Sequence, residues 1–243
     1  MGAACSAGSK RSCSSSNPSS SQKSVETVVQ ELEAKYPSEP LKIIHQMSVH
    51  KDFWEVRERL VKHPKGNQIK YQLCGHPPTY AYVVVFPFHH ASQTVTIIRE
   101  WQQGLNQWWW QLPTGGWDRS KAKDLKECAC NELAEEAMLV KGRMIPLLDD
   151  RKTGIAEISF SQNSWYPFLS LDSRKVDPKD KNKRQRDLEE EGLIHVHEVS
   201  LAVLFFLIKS GKMIPTSAMC SMMAMAELRK RSLLTQTSWA ALL

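Results

Sequence analysis

The 243-residue chain lacks several things, and each absence closes a class of function. Its six cysteines (Cys5, Cys13, Cys74, Cys128, Cys130, Cys220) include no CxxC pair and no regular framework, so reduced thiols are expected rather than a disulfide scaffold. Cys128 and Cys130 would point about 200° apart on a helix, which argues against a local metal site. No apolar run reaches the roughly 20 residues of a membrane-crossing helix; the best, VSLAVLFFLI, stops well short. Zinc-finger, RNA-recognition and helix-turn-helix signatures are missing, and so is any internal repeat. The net charge of +6 therefore fits phosphate-bearing ligands or an anionic membrane, and no specific nucleic acid partner is expected.

Acidic residues are missing from the first 24 positions, which carry ten serines. Such a segment cannot bury a core, and residues 1–22 are expected to be disordered. Its opening, MGAACS, matches the N-myristoylation pattern, with Gly2 as acceptor. A single acyl chain holds a protein marginally, and Cys5, a palmitoylation candidate, with Lys10 and Arg11 supplies second signals. The expectation is a cytoplasmic protein held at a membrane surface by N-terminal acylation. An organelle transit peptide and an inert tail are the alternatives.

What is present is an ordinary globular composition, 42% hydrophobic and 24% charged. SVETVVQELEAKY predicts a short helix capped by Ser24, within an N-terminal helix and lead-in over 23–49. FWEVRERLV and QIKYQL have the spacing of a hairpin around HPKGN, and YAYVVVFPF and QTVTIIREW read as central strands. GRMIPLL, SWYPFLSLD and GLIHVHEV predict further strands. SLAVLFFLIKSGKM and SAMCSMMAMAELRKRS predict two helices, the first closed by Gly211. DSRKVDPKDKNKRQRDLEEEG is a long polar insertion. Strands, a helix, more strands and then helices predict an α+β domain with a mixed β-sheet between helical layers, over 50–232, followed by a tail over 233–243.

The stretch GGWDRSKAKDLKECACNELAEEAML (115–139) carries the chemistry. Asp124 and Glu127 form a D-x-x-E capping pattern that starts a helix near Leu125, with Leu125, Ala129 and Leu133 packing inward. Glu132, Glu135 and Glu136 then share one face. Three like charges on one face repel, which a solvated surface tolerates and a divalent cation relieves. The preceding QLPTGGWD is expected to be a tight Pro/Gly turn bringing backbone carbonyls near that face. Magnesium takes an oxygen shell of one or two carboxylates, waters and ligand phosphates, so the arrangement suits a diphosphate.

In this order of parts the chain resembles the Nudix hydrolase superfamily. NELAEEAML keeps Glu132, Leu133, Glu135, Glu136 and Leu139 of the family box. FWEVRERLVKHPKGNQIKYQL, VTIIREW and WWWQLPTGGWD resemble the ADP-ribose and ADP-sugar diphosphatase branch. The resemblance implies an α/β/α sandwich and hydrolysis of a nucleoside diphosphate linked to another moiety, giving a nucleotide and a phosphorylated product. It implies magnesium (manganese as the alternative ion) on Glu132, Glu135, Glu136 and the Thr114 carbonyl. Glu191, with Glu189 and Glu190 as alternatives, would supply the activating base. Trp54, Arg99, Trp108, Gly115 and Gly116 are the implied substrate contacts, and a homodimer sharing a site is a further implication. The box departs from the pattern: Lys121 or Ala122 stands for the first glutamate, Asn131 for the arginine and Met138 for the glycine. Gln102 replaces a phosphate-binding arginine. A catalytically weak or inactive module binding a nucleotide or protein partner is the alternative reading.

Overall fold

A computed structural model describes residues 24–35, 39–149, 153–177, 179 and 192–236. Two compact units divide the chain, 1–42 and 43–243. The first contains helix α1 (Val25–Glu33), whose cap Ser24 accepts the Thr27 N–H as expected.

The second unit begins with a three-stranded antiparallel sheet of β1 (Ile43–Lys51), β2 (Glu55–Lys62) and β3 (Gln68–Gly75). The expected hairpin is β2–β3, turning at Gly66, whose positive φ of 93° suits a residue without a side chain. Strand β1 lies in the segment expected to be a lead-in. It is exposed along its whole length, and its short alternation of Met47 and Val49 with Ser48 and His50 buries neither face.

The main sheet follows: β4 (Ala81–His89), β5 (Thr94–Gln102), β6 (Gln107–Gln111) and β7 (Thr114–Gly116), then helix α2 (Leu125–Glu136). After it come β8 (Leu139–Val140), β9 (Arg143–Pro146), β10 (Ile155–Ala156), β11 (Ser164–Leu171), β12 (Arg174–Lys175) and β13 (Ile194–Ser200). Helices α3 (Leu201–Lys209) and α4 (Pro215–Lys230) close the described chain. Strand order is β10-β11-β4-β5-β13, with β6 paired to β5, β7 to β4 and β9 to β11. The β4–β11 pair is parallel and the others antiparallel, so the sheet is mixed.

Strand β4 shows why the domain has three layers. Its side chains alternate between faces, and both faces are apolar. Val84, Phe86 and Phe88 join Leu204, Cys220, Ala224 and Leu228 of α3 and α4 in one core. Val83 and Val85 join Ala129, Leu133 and Ala137 from the α2 side in the other. A strand buried on both sides loses polar alternation, which explains the unbroken YAYVVVFPF run. The helix–sheet–helix sandwich is the α+β architecture expected from the order of elements.

Candidate active site

Helix α2 forms because its ends are satisfied locally. Asp124 accepts the Glu127 N–H at 2.8 Å, and the Glu127 carboxylate accepts the Lys123 N–H at 2.8 Å, a reciprocal cap. Ala129 and Leu133 are buried, and Leu125 packs beside them. This register sets the three glutamates. Glu136 is buried, 4% exposed, and accepts the Thr114 N–H at 2.7 Å. Glu132 packs against Gly115 so closely that a Cβ on that glycine would overlap its carboxylate carbon and both oxygens. Glu135 is half-buried on the same helix.

The segment they meet is not the expected tight turn. Thr114–Gly116 is an extended strand, paired to β4 through Thr114↔Val84, Gly115↔Val83 and Gly116↔Tyr82. Neither glycine has a positive φ. Gly115 serves by having no side chain where Glu132 must sit. The edge of β4, rather than turn chemistry, straightens the segment.

Asn131, Ala122 and Met138, where the sequence departs from the resemblance, are each accommodated. Asn131 donates to the Lys121 carbonyl at 3.4 Å and so links helix to loop without a charge. Ala122 is buried in the α2-side core, where an unpaired glutamate would be costly. Met138 follows the helix end at φ 56°, the left-handed conformation in which glycine has least strain.

Thr114, Gly115 and Gly116 also line a cavity of about 610 Å³, with Trp54, His76, Tyr82, Gln102, Gln111, Trp117, Asp118, Glu157 and Asn163 among its walls. None of Glu132, Glu135 and Glu136 is a lining residue; they adjoin the cavity through β7. A smaller cleft of about 260 Å³ at the start of α2 is largely apolar and touches none of these glutamates.

Trp54 lies 3.7 Å, centroid to centroid, from the His76 ring. Buried Asn163 joins His76 to Glu157. Its Oδ1 accepts the His76 N–H at 2.9 Å, while its Nδ2 donates to Glu157 at 3.2 Å and to His76 Nδ1 at 3.3 Å. Glu157 also accepts from Tyr82 at 3.1 Å and from Ser161 at 2.8 Å. Burial lowers the His76 pKa against a smaller opposing pull from Glu157, and burial raises that of Tyr82. Beneath this wall Glu55 accepts from Arg57 at 2.7 Å and from Tyr80. Those bonds, Arg57 first, hold its pKa at about 2.

Arg99 and Trp108 are placed elsewhere. They lie on neighbouring strands β5 and β6, with the Arg99 guanidinium 5.9 Å from the Trp108 ring and 5.7 Å from that of Trp110. His195 and His197 stack beside Trp108 and Trp110. Trp110 is the tryptophan of the run that packs on the core. Neither Arg99 nor Trp108 lines the cavity. The candidates Gly2, Cys5, Glu189, Glu190 and Glu191 lie outside the described residues. His76, Tyr82, Glu157 and Asn163 escaped sequence reasoning. The one local signal was GHPPT, a Gly/Pro-rich connection of the kind that carries function.

Among the described residues no three His, Cys, Asp or Glu side chains converge as a closed metal cage. Cys74, Cys130 and Cys220 are free thiols. Magnesium needs fewer protein ligands than that, because it retains waters and takes phosphate oxygens. Glu132 and Glu136, both against β7, form an all-oxygen donor pair that fits such an ion.

No family model matches the chain, and no curated relative does. Among solved structures, one described as an ADP compounds hydrolase is similar, with a TM-score of 0.60 at 15% identity. The match covers 81% of this chain and 98% of that one. The fold is Nudix-like.

Proposed function

We propose that the protein is a divalent-metal-dependent diphosphatase. It would cleave a nucleoside diphosphate linked to another moiety, of the ADP-ribose or ADP-sugar class, into a nucleotide and a phosphorylated product. One observation carries the reading: the carboxylate face of α2 is seated on β7, the strand that also walls the cavity of about 610 Å³. A merely solvated face would not bury Glu136 against a backbone N–H. The fold, similar to that of an ADP compounds hydrolase, supports the same class.

Glu132, Glu135 and Glu136, with the Thr114 carbonyl, would hold magnesium or manganese. When bound, the ion neutralises diphosphate charge and makes a water acidic enough to attack phosphorus. The chain's own contribution is placement. The Thr114 N–H fixes the Glu136 carboxylate, the bare Gly115 admits Glu132, and Trp54 offers a flat face to a ring. Glu191 is proposed as the base. A homodimer is part of the proposal, since β1 leaves Ile43, Ile44, Met47 and Val49 exposed for a second copy to cover. So is N-terminal acylation at Gly2 and Cys5.

The test is nucleotide release from ADP-ribose, ADP-glucose and dinucleotides, with and without magnesium. Glu136→Gln should lower magnesium-dependent turnover at least about 100-fold, as loss of a charge-stabilising group does. Absent turnover together with intact nucleotide binding would favour the alternative of a binding module.

A further inference from the structure

Among the described residues the cavity lining is acidic and so ill suited to phosphate. The described residues that line it include Asp52, Asp118 and Glu157 but no lysine or arginine. His76 adds no charge near neutrality, because burial holds its pKa below the usual histidine range. The position where an arginine would grip phosphate is an amide, and its donor is engaged. Gln102 Nε2 donates to Glu100 at 3.1 Å and to Gln111 at 3.3 Å, while Gln111 Nε2 also donates to Glu100.

The decisive group is Glu157. Its oxygens already accept from Tyr82, Ser161 and Asn163, which leaves few lone pairs for the hydroxyls of a sugar. All three donors are neutral. Among the described residues no lysine, arginine or histidine forms an ion pair with Glu157. Among the described residues the negative charge is therefore hydrogen-bonded but meets no ion pair, and a cation can answer it without occupying a lone pair. Aromatic faces stand beside it. Trp54 reaches Glu157 through the His76–Asn163 chain, and Tyr82 donates to it directly. The Trp117 ring already draws a cation, with Arg119 at 5.1 Å. Indole rings and a carboxylate lining one cavity have the chemistry that recognises pyridinium and quaternary ammonium groups.

We propose that this cavity selects a cationic ring or ammonium head group carried by the substrate, while the diphosphate stays at the α2 glutamates. The placement of the diphosphate rests on the diphosphatase reading; the choice of a cation does not.

NAD+ and NADH test it, because both carry the same adenine and diphosphate while only the oxidised nicotinamide ring is cationic. Affinities are measured calorimetrically on the full-length protein in a chelator, so that nothing is consumed. NAD+ is expected to bind about tenfold more tightly than NADH, the size of a partly desolvated cation–π and charge contact. In Glu157→Gln the ratio is expected to fall close to one. A second readout needs no variant and no diphosphate: N-methylnicotinamidium should quench tryptophan fluorescence at lower concentration than neutral nicotinamide. NADH binding as well as NAD+, or an NAD+ preference that persists in Glu157→Gln, overturns the proposal. The two readings fail separately. Cation preference without turnover of any diphosphate removes the hydrolase reading and leaves this one. Magnesium-dependent turnover without cation preference does the reverse.

Discussion

Substituting Gly115 tests the contact on which the site depends. An alanine Cβ at Gly115 would overlap the whole carboxylate of Glu132, whereas one at Gly116 would meet nothing within 4 Å. The strand has little room to retreat, because Thr114, Gly115 and Gly116 are all paired to β4. Forcing an extra methyl into a packed site costs about 1–3 kcal/mol. Replacing glycine by alanine where the backbone allows it returns about 0.4–1 kcal/mol through the unfolded chain. Gly115→Ala should therefore destabilise by about 1–2 kcal/mol, while Gly116→Ala should be neutral or slightly stabilising. Urea unfolding of both variants, of Glu132→Ala and of the Gly115→Ala/Glu132→Ala double gives a complete cycle. Removing the carboxylate removes the overlap, so the double variant should recover about 1 kcal/mol or more relative to additivity. Catalysis should follow the same order, with Gly115→Ala losing turnover through displacement of Glu132 and Gly116→Ala keeping most of it. Equal stabilities for the two alanine variants, or strict additivity in the cycle, would refute the claim that Gly115 exists to admit Glu132.

Two further outcomes follow from strain and from charge. Met138 holds φ 56° with its side chain 36% exposed. Relief of about 1–2 kcal/mol of left-handed strain should outweigh the entropic cost of glycine, so Met138→Gly should raise stability by about 0.5–1 kcal/mol in denaturant titrations. Glu55 is held by Arg57 and Tyr80 at a pKa of about 2, against an ordinary value of 4.5. A depressed carboxylate stabilises the fold above its unfolded pKa and loses that effect as pH falls through the folded one. The stability of the wild type should thus decline between pH 4.5 and about 2, and Glu55→Gln should flatten this part of the profile.

Legibility followed locality. The cap of α2 needs only Asp124, Lys123 and Glu127, all within four residues, and it reads directly from the chain. Strands β4 and β5 announce themselves by β-branched density, because both faces of β4 are buried. By contrast β1 is exposed throughout, and its short Met47–Val49 alternation is too brief to mark a strand. Strand β7 is three residues long and is extended only because β4 lies beside it, so its Pro and glycines mimic a turn. The cavity is the extreme case. Segments around residues 54, 76–82, 102, 111–118, 157–163 and 214–216 meet only after folding. Nothing in the neighbourhood of Glu157 sets it apart from any other surface glutamate. Arg99 and Trp108, attractive as a cation and a ring near the motif, are carried away from the cavity by the β5–β6 pairing that joins them.

Two kinds of contact meet around α2. One is mechanical: closing the loop onto the helix and turning the chain at its end. Here Asn131 at the Lys121 carbonyl and Met138 in the left-handed region meet it with weaker or strained groups. The other is electrostatic, and it is kept by residues whose cost is hard to explain mechanically. A lysine among Glu132, Glu135 and Glu136 would remove like-charge repulsion on a surface helix. Instead Glu136 is buried and accepts the Thr114 N–H, and Glu132 occupies space that only a glycine leaves open. The mechanical contacts are made by neutral groups, whereas the carboxylates sit where a neutral residue would supply no charge. A chain under pressure only to keep this fold would have no reason to divide its residues that way.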